Sequence, residues 1–269
     1  MLFRSGNPIP ISATTAVNST TNPIYVKGTS DTSFFAPTQT DAFGRLRISN
    51  PFTLFDAANR YIDNGLHFNS TAGGGSATYD ANNAAISLTV GTTSGDTVYR
   101  ETSKVFAYQP GKSLLVMQTF TFAGAKANLT QRAGYFDTAN GIYLEQVGTT
   151  VNFVKRSSSS GSVVETRVAQ ASWNTNTLGT LDLTKSQIFW MDIEWLGVGS
   201  IRCGFVIDGQ FVHCHTFHHA NIITGTYMTT ACLPVRKEIF NTGTTASSST
   251  MLSICTTVIS EGEIGRAHV

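Results

Sequence analysis

Ile188-Phe189-Trp190-Met191-Asp192-Ile193-Glu194-Trp195-Leu196-Gly197-Val198-Gly199-Ser200-Ile201-Arg202-Cys203-Gly204-Phe205-Val206-Ile207-Asp208-Gly209-Gln210-Phe211-Val212-His213-Cys214-His215-Thr216-Phe217 is the stretch that decides the fold. Laid out as three strands, it sorts its side chains by the period of two that a pleated strand imposes. Phe189, Met191, Ile193 and Trp195 share one face of the first strand; Trp190, Asp192 and Glu194 share the other. Ile201, Cys203, Phe205 and Ile207 make the apolar face of the second. Asp208-Gly209 is a favoured type I′ turn, and a two-residue turn there sets Phe205 opposite Val212 and Cys203 opposite Cys214. The apolar faces then coincide, whereas a slip of one residue would put them in water. A three-residue loop at Leu196-Gly197-Val198 brings Ile193 opposite Ile201 and Met191 opposite Cys203.

On the reverse face this register lays Asp192 across from Arg202 and Arg202 across from His215. An exposed cross-strand charge pair contributes only about 0.2–1 kcal/mol. Such a carboxylate–guanidinium–imidazole ladder therefore suits contact specificity better than stability, and the expected contact face is Trp190, Asp192, Glu194, Arg202, Phe211, His213 and His215. His213 and His215 are also the pair that could share a metal, as in jelly-roll cupins. The next glutamate is only Glu238, so a surface or inter-subunit histidine cluster is preferred. Asp192 and Glu194 are the pair to consider for glycoside hydrolysis, but no apolar pocket that would raise one pKa is visible. Trp190 and Trp195 read as core before they read as a sugar platform.

Outward from the meander the chain keeps the same character. Its 269 residues are 41% hydrophobic and only 13% charged, while Ser and Thr together number 63. Thr suits a pleated surface and Ser, Gly and Asn supply turns. The surface is thus solvated by hydroxyls and amides rather than by charge. A net charge of +1 creates no field for nucleic acid or anionic lipid, and no apolar run is long enough to span a bilayer. Cys203, Cys214, Cys232 and Cys255 lack CxxC spacing and read as buried free thiols. A Cys203–Cys214 disulfide is geometrically allowed, with Cα atoms about 5.5 Å apart. No phosphate-binding glycine loop or nucleophile elbow occurs, and no cofactor is expected.

Strands are expected at residues 85–90, 98–107 and 114–122, with a hairpin around Asn140-Gly141 and another around the loop Ser157-Ser158-Ser159-Ser160-Gly161. A short helix or turn is expected within 174–185. Residues 1–40, rich in Thr, Ser, Asn and Pro, are expected to form an extended arm that orders against a neighbour. Residues 41–262 form the expected domain: all-β, an antiparallel sandwich of the jelly-roll or concanavalin-like kind. Glu263-Ile264-Gly265-Arg266-Ala267-His268-Val269 matches one reading frame of a common sequencing adapter up to its stop codon. The natural chain is therefore expected to continue past Gly262.

Two stretches carry a family resemblance. Asp41-Ala42-Phe43-Gly44-Arg45-Leu46-Arg47-Ile48-Ser49-Asn50-Pro51-Phe52-Thr53-Leu54-Phe55-Asp56 is the first. The second is Gln187-Ile188-Phe189-Trp190-Met191-Asp192-Ile193-Glu194-Trp195-Leu196-Gly197-Val198-Gly199, with Leu233-Pro234-Val235-Arg236-Lys237-Glu238-Ile239 and Ser260-Glu261-Gly262 after it. Together they resemble virion structural proteins of tailed bacteriophages, in the same order and over residues 30–262. The resemblance implies a non-enzymatic component of a tail, baseplate or head fibre, assembled in the host cytoplasm. Its implied partners are other virion subunits, in a homo-oligomer (a trimer by analogy with phage fibres), and host-surface glycan. Two rival expectations stand beside it. One is a carbohydrate-binding module with an exposed Trp190 platform; the other is a metal-dependent or glycoside-hydrolysing enzyme.

Overall fold

The computed structural model describes residues 28–29, 35–36 and 51–261. The chain divides into two units, the second beginning at Ser49. In the first, β1 (Gly28–Thr29) and β2 (Phe35–Ala36) form a two-stranded antiparallel ribbon. The remainder of the expected arm, residues 41–50 of the first motif and the C-terminal heptapeptide lie outside the described residues.

The second unit opens with β3 (Phe52–Ala58), β4 (His67–Ala72), β5 (Ser76–Asp80), β6 (Ala85–Val90), β7 (Thr97–Thr102), β8 (Phe106–Ala107) and β9 (Ser113–Thr121). Next come β10 (Leu129–Phe136), β11 (Gly141–Val147), β12 (Thr150–Ser157), β13 (Val164–Ala169) and a 3-10 turn at Gln170–Ser172. β14 (Gln187–Ile193), β15 (Ile201–Ile207) and β16 (Gln210–Phe217) are the meander; β17 (Cys232–Leu233), β18 (Val235–Asn241) and β19 (Ser249–Glu261) follow. One sheet runs β13-β12-β11-β10-β18-β7-β4 and the other β16-β15-β14-β9-β19-β6-β5, with β3 pairing to β19 and every pairing antiparallel. The architecture is the expected antiparallel sandwich, of jelly-roll or concanavalin-like kind.

Alternation explains what fills it. Leu114, Val116 and Phe120 of β9, with Phe189, Met191 and Ile193 of β14, face Tyr135, Ile142, Leu144 and Phe153 of the other sheet. Phe153 stacks on Trp173 at 4.1 Å between centroids and lies 5.7 Å from Phe189, joining the two sheets. Each such buried side chain contributes roughly 1.5–3 kcal/mol of transfer free energy.

The meander has the expected start: Ile193 pairs with Ile201, Met191 with Cys203 and Phe205 with Val212. Asp208 and Gly209 both take positive φ, 50° and 75°, as the tight turn requires. Beyond Gly204 the expected register fails, because a β-bulge inserts one residue. Cys203 pairs with His215, and Arg202 with Thr216, in place of Cys214 and His215. The crossing segment after Trp173 holds the bulge in place. Thr175 and Asn176 N–H groups donate to the Cys214 carbonyl, and the Asn174 side chain brackets Thr216 with two 2.9 Å hydrogen bonds.

Two smaller expectations also change. The strand anticipated over 98–107 is two strands broken at residues 103–105, whereas residues 174–185 hold turns, one of the two forms expected there. All four cysteines are free, but only Cys203 and Cys214 are buried; Cys232 is exposed and Cys255 intermediate. Among the described residues no helix is long and apolar enough to cross a membrane.

Candidate functional site

The expected contact face divides between core and surface. Trp190, Asp192 and His215 are buried, at 5%, 0% and 6% exposure, while Phe211 is exposed. Glu194, Arg202 and His213 are intermediate. Trp190 lies flat over Gly204, where a Cβ would overlap the Val212 carbonyl and stand 2.7 Å from Trp190 Cζ2. Its ring neighbours Phe211 at 5.6 Å and His213 at 6.1 Å, and its indole N–H donates to the Phe205 carbonyl. Trp190 is therefore no exposed platform. Asp192 does pair with Arg202, but the bulge breaks the ladder before His215.

The bulge also separates the two histidines. His213 lies beside Trp190 on the outer face, whereas His215 turns inward to stack with Phe153 at 6.3 Å. They cannot share a metal, and no other cluster among the described residues is arranged to hold one. Burial, and then the nearby His213 and His218, draw His215 down to about 4. Burial, and next the Glu261 carboxylate, push Asp192 up to about 7.

A ligand-sized cleft lies elsewhere, at the end of the sandwich between the β12–β13 hairpin and residues 223–227. Its volume is about 630 Å³, within the ~300–1,000 Å³ of small-molecule sites. Hydroxyls of Ser157, Ser159, Ser160, Thr166, Thr224 and Thr226 line it, with apolar surface from Val164 and Ile223. Lys155 is the one ionisable group in the lining besides Tyr227. Lys155 shares the strand phase of Val151 and Phe153, so it points inward, between Ile142 on β11 and Thr166 on β13. Burial lowers its pKa.

Both walls of the cleft are fastened. The Asn140 amide, buried at the head of β11, donates to Thr229 Oγ1 (2.8 Å) and Ser158 Oγ (3.3 Å) and accepts from the Thr229 N–H (3.0 Å). Behind the second wall Tyr227 stacks on His219, 4.0 Å apart and nearly parallel. His219 Nδ1 lies 2.7 Å from the Gly199 carbonyl, and the Tyr227 N–H donates to that of Gly197. The first meander loop thus supports the cleft. Burial draws His219 down to about 4, so its ring is neutral behind Tyr227.

The outer face of the seven-stranded sheet carries a second polar feature that sequence reasoning missed. Glu238, Arg132 and Glu145 are consecutive cross-strand partners on β18, β10 and β11. Arg132 donates to both carboxylates at 2.7 Å. Arg236 extends the row to Glu101, and Arg156 and Arg167 join Glu165 to it. Arg236 lies over Tyr99 at 3.6 Å and Arg156 over Tyr143 at 4.9 Å. Every one of these carboxylates is committed to a guanidinium, so the network can order this face but offers no unengaged acid or base.

No protein-family model matches the chain, and no curated protein does. Among solved structures the fold is similar to a Bacteroides ovatus mixed linkage glucan GH16 in complex with a product, at 12% identity and TM-score 0.53. That match covers 76% of this chain and 99% of the other. A β-1,3-glucanase from Mycobacterium marinum gives 11%, 0.51, 77% and 98% for the same quantities. A protein of unknown function from Shewanella oneidensis gives 13%, 0.50, 87% and 100%. The chain is a β-sandwich of the jelly-roll class that these proteins share. This corrects the expectation of a non-enzymatic protein: the architecture is one on which glycoside hydrolases are built, so it gives no ground for excluding catalysis.

Proposed function

We propose that this sandwich binds saccharide in the cleft between the β12–β13 hairpin and residues 223–227. The carrying observation is the lining: six Ser and Thr side chains, Tyr227, two aliphatic side chains and a single ammonium around about 630 Å³. Hydroxyl pairs can exchange hydrogen bonds with a sugar's own hydroxyls, while Val164 and Ile223 meet the C–H face of a pyranose ring. The glucan and glucanase structures of the same fold support a saccharide ligand. For the setting we propose a tailed-phage virion, where the chain contacts neighbouring subunits and a host-surface glycan. Its support is the sequence resemblance of residues 41–56 and 187–199. Titration calorimetry with short oligosaccharides tests the binding. Saturable binding that Thr166→Trp abolishes by filling the cleft is expected, and binding unaffected by that substitution would overturn the proposal.

A further inference from the structure

We infer that the saccharide taken by the cleft bears a carboxylate, seated on the Lys155 ammonium with its hydroxyls on the surrounding Ser and Thr side chains. This rests on the saccharide reading above and adds the ligand's charge. Lys155 is half-buried, and burial is the sole cause acting on its pKa, with no carboxylate contributing. No acidic residue lines the cleft. The contrast with the other face of the sheet is sharp: there Arg156 and Arg167 of β12 and β13, like Arg132 and Arg236 of β10 and β18, are all matched with glutamates. Acids are thus abundant on the outer side of β11–β13 and missing around Lys155, the inward cation of these three strands.

A partly desolvated ammonium without a counter-charge costs free energy that a bound anion recovers. The kind of anion follows from the donor. Lysine is a compact single point charge, and a phosphoryl group would bring about −1.5 to −2 charges against it. One carboxylate balances it. Ser157, two residues along β12, and Thr166, directly across from Lys155 on β13, share its side of the sheet and line the same cleft, which offers hydroxyls to the sugar ring beside the acid.

The test is calorimetric titration of the full chain with methyl glucuronoside, methyl sialoside and methyl glucoside. Each is run on the unaltered protein, Lys155→Met and Lys155→Gln, with thermal melts to confirm folding. At least one acidic sugar is expected to bind about 10–100-fold more tightly than the glucoside, and which acid does so separates a uronate from a sialate. Both substitutions should erase that preference, bringing the acidic sugars to within about twofold of the glucoside measured on the same variant. Equal affinity for acidic and neutral sugars in the unaltered protein would overturn the carboxylate inference and leave the saccharide reading standing. Failure of all three sugars to bind would overturn both.

Discussion

Asn140 and Thr229, 89 residues apart in sequence, are bound to each other twice: amide to hydroxyl at 2.8 Å, and backbone N–H to amide oxygen at 3.0 Å. Because Asn140 also reaches Ser158, it fixes the spacing between the two walls of the cleft. Asn140→Ala should cost about 1–3 kcal/mol. It should also speed hydrogen exchange in residues 157–160 and 223–229 while the core strands stay protected, and weaken saccharide binding. Unchanged exchange in those loops would show that the walls are held by other means.

The guanidinium–carboxylate row on the seven-stranded sheet should behave as a coupled unit. Glu145 has no exposed surface and receives Arg132 and Arg167 at 2.7 Å each. Glu145→Gln should destabilise by about 1–3 kcal/mol, because it removes the buried carboxylate shared by two arginines, while Arg132 keeps Glu238 and the partly exposed Arg167 keeps Glu165. In a double-mutant cycle with Arg132→Met, measured by urea unfolding, the double variant should be less damaged than the sum of the singles. Strict additivity would deny the coupling.

Two groups should shape stability against pH in opposite regions. Burial draws Lys237 down to about 7, although its ammonium reaches Thr256 Oγ1 at 3.0 Å. An unfolded lysine titrates near 10.4, so between pH 7 and 10 the unfolded chain binds more protons and stability rises with pH. Lys237→Met should flatten that rise. Burial alone would raise the Glu165 carboxyl, but the Tyr143 hydroxyl and the Arg156 and Arg132 charges outweigh it and hold it at about 2. Its stabilisation is complete above the unfolded value, near 4.3, and is lost as pH falls toward 2. Glu165→Gln should therefore reduce the acid-side slope. Denaturant midpoints across pH 2–10 read both effects.

Gly204 is where Trp190 and the β16 backbone come closest. A methyl group there collides with the Val212 carbonyl and the indole. Gly204→Ala should cost about 2–4 kcal/mol as an overpacking change beside a bulge, and should alter near-ultraviolet circular dichroism from Trp190. A variant as stable as the unaltered chain would show that the bulge can shift.

The legible parts of this fold are those whose signal is local. Asp208-Gly209 sets the Phe205–Val212 pairing through turn chemistry within four residues, and alternation along Phe189, Met191 and Ile193 marks the core face. Cys214 bulges because residues 174–176 hydrogen-bond to it and its neighbours, a tertiary cause with no trace in the strand itself. β19 hides for a different reason: Ser249, Ser253, Thr256 and Ser260 occupy buried positions, so the apolar period is interrupted. The Glu238–Arg132–Glu145 row needs β18 beside β10, strands about a hundred residues apart. Lys155 shares the phase of Val151 and Phe153, but Val154 gives the opposite phase an apolar residue too, buried with Phe136 and Tyr143, so alternation along β12 does not by itself assign the inward side. The opposing cleft wall has no comparable local mark.

The most direct measurement is a nitrogen-15 correlation spectrum of the labelled chain during titration with a saccharide that binds. The account predicts that the largest shifts fall on Lys155, Ser157–Gly161, Thr166 and residues 223–229, with the Trp190 indole signal unmoved. Shifts centred on Trp190, Phe211 and His213, with the cleft signals still, would contradict it.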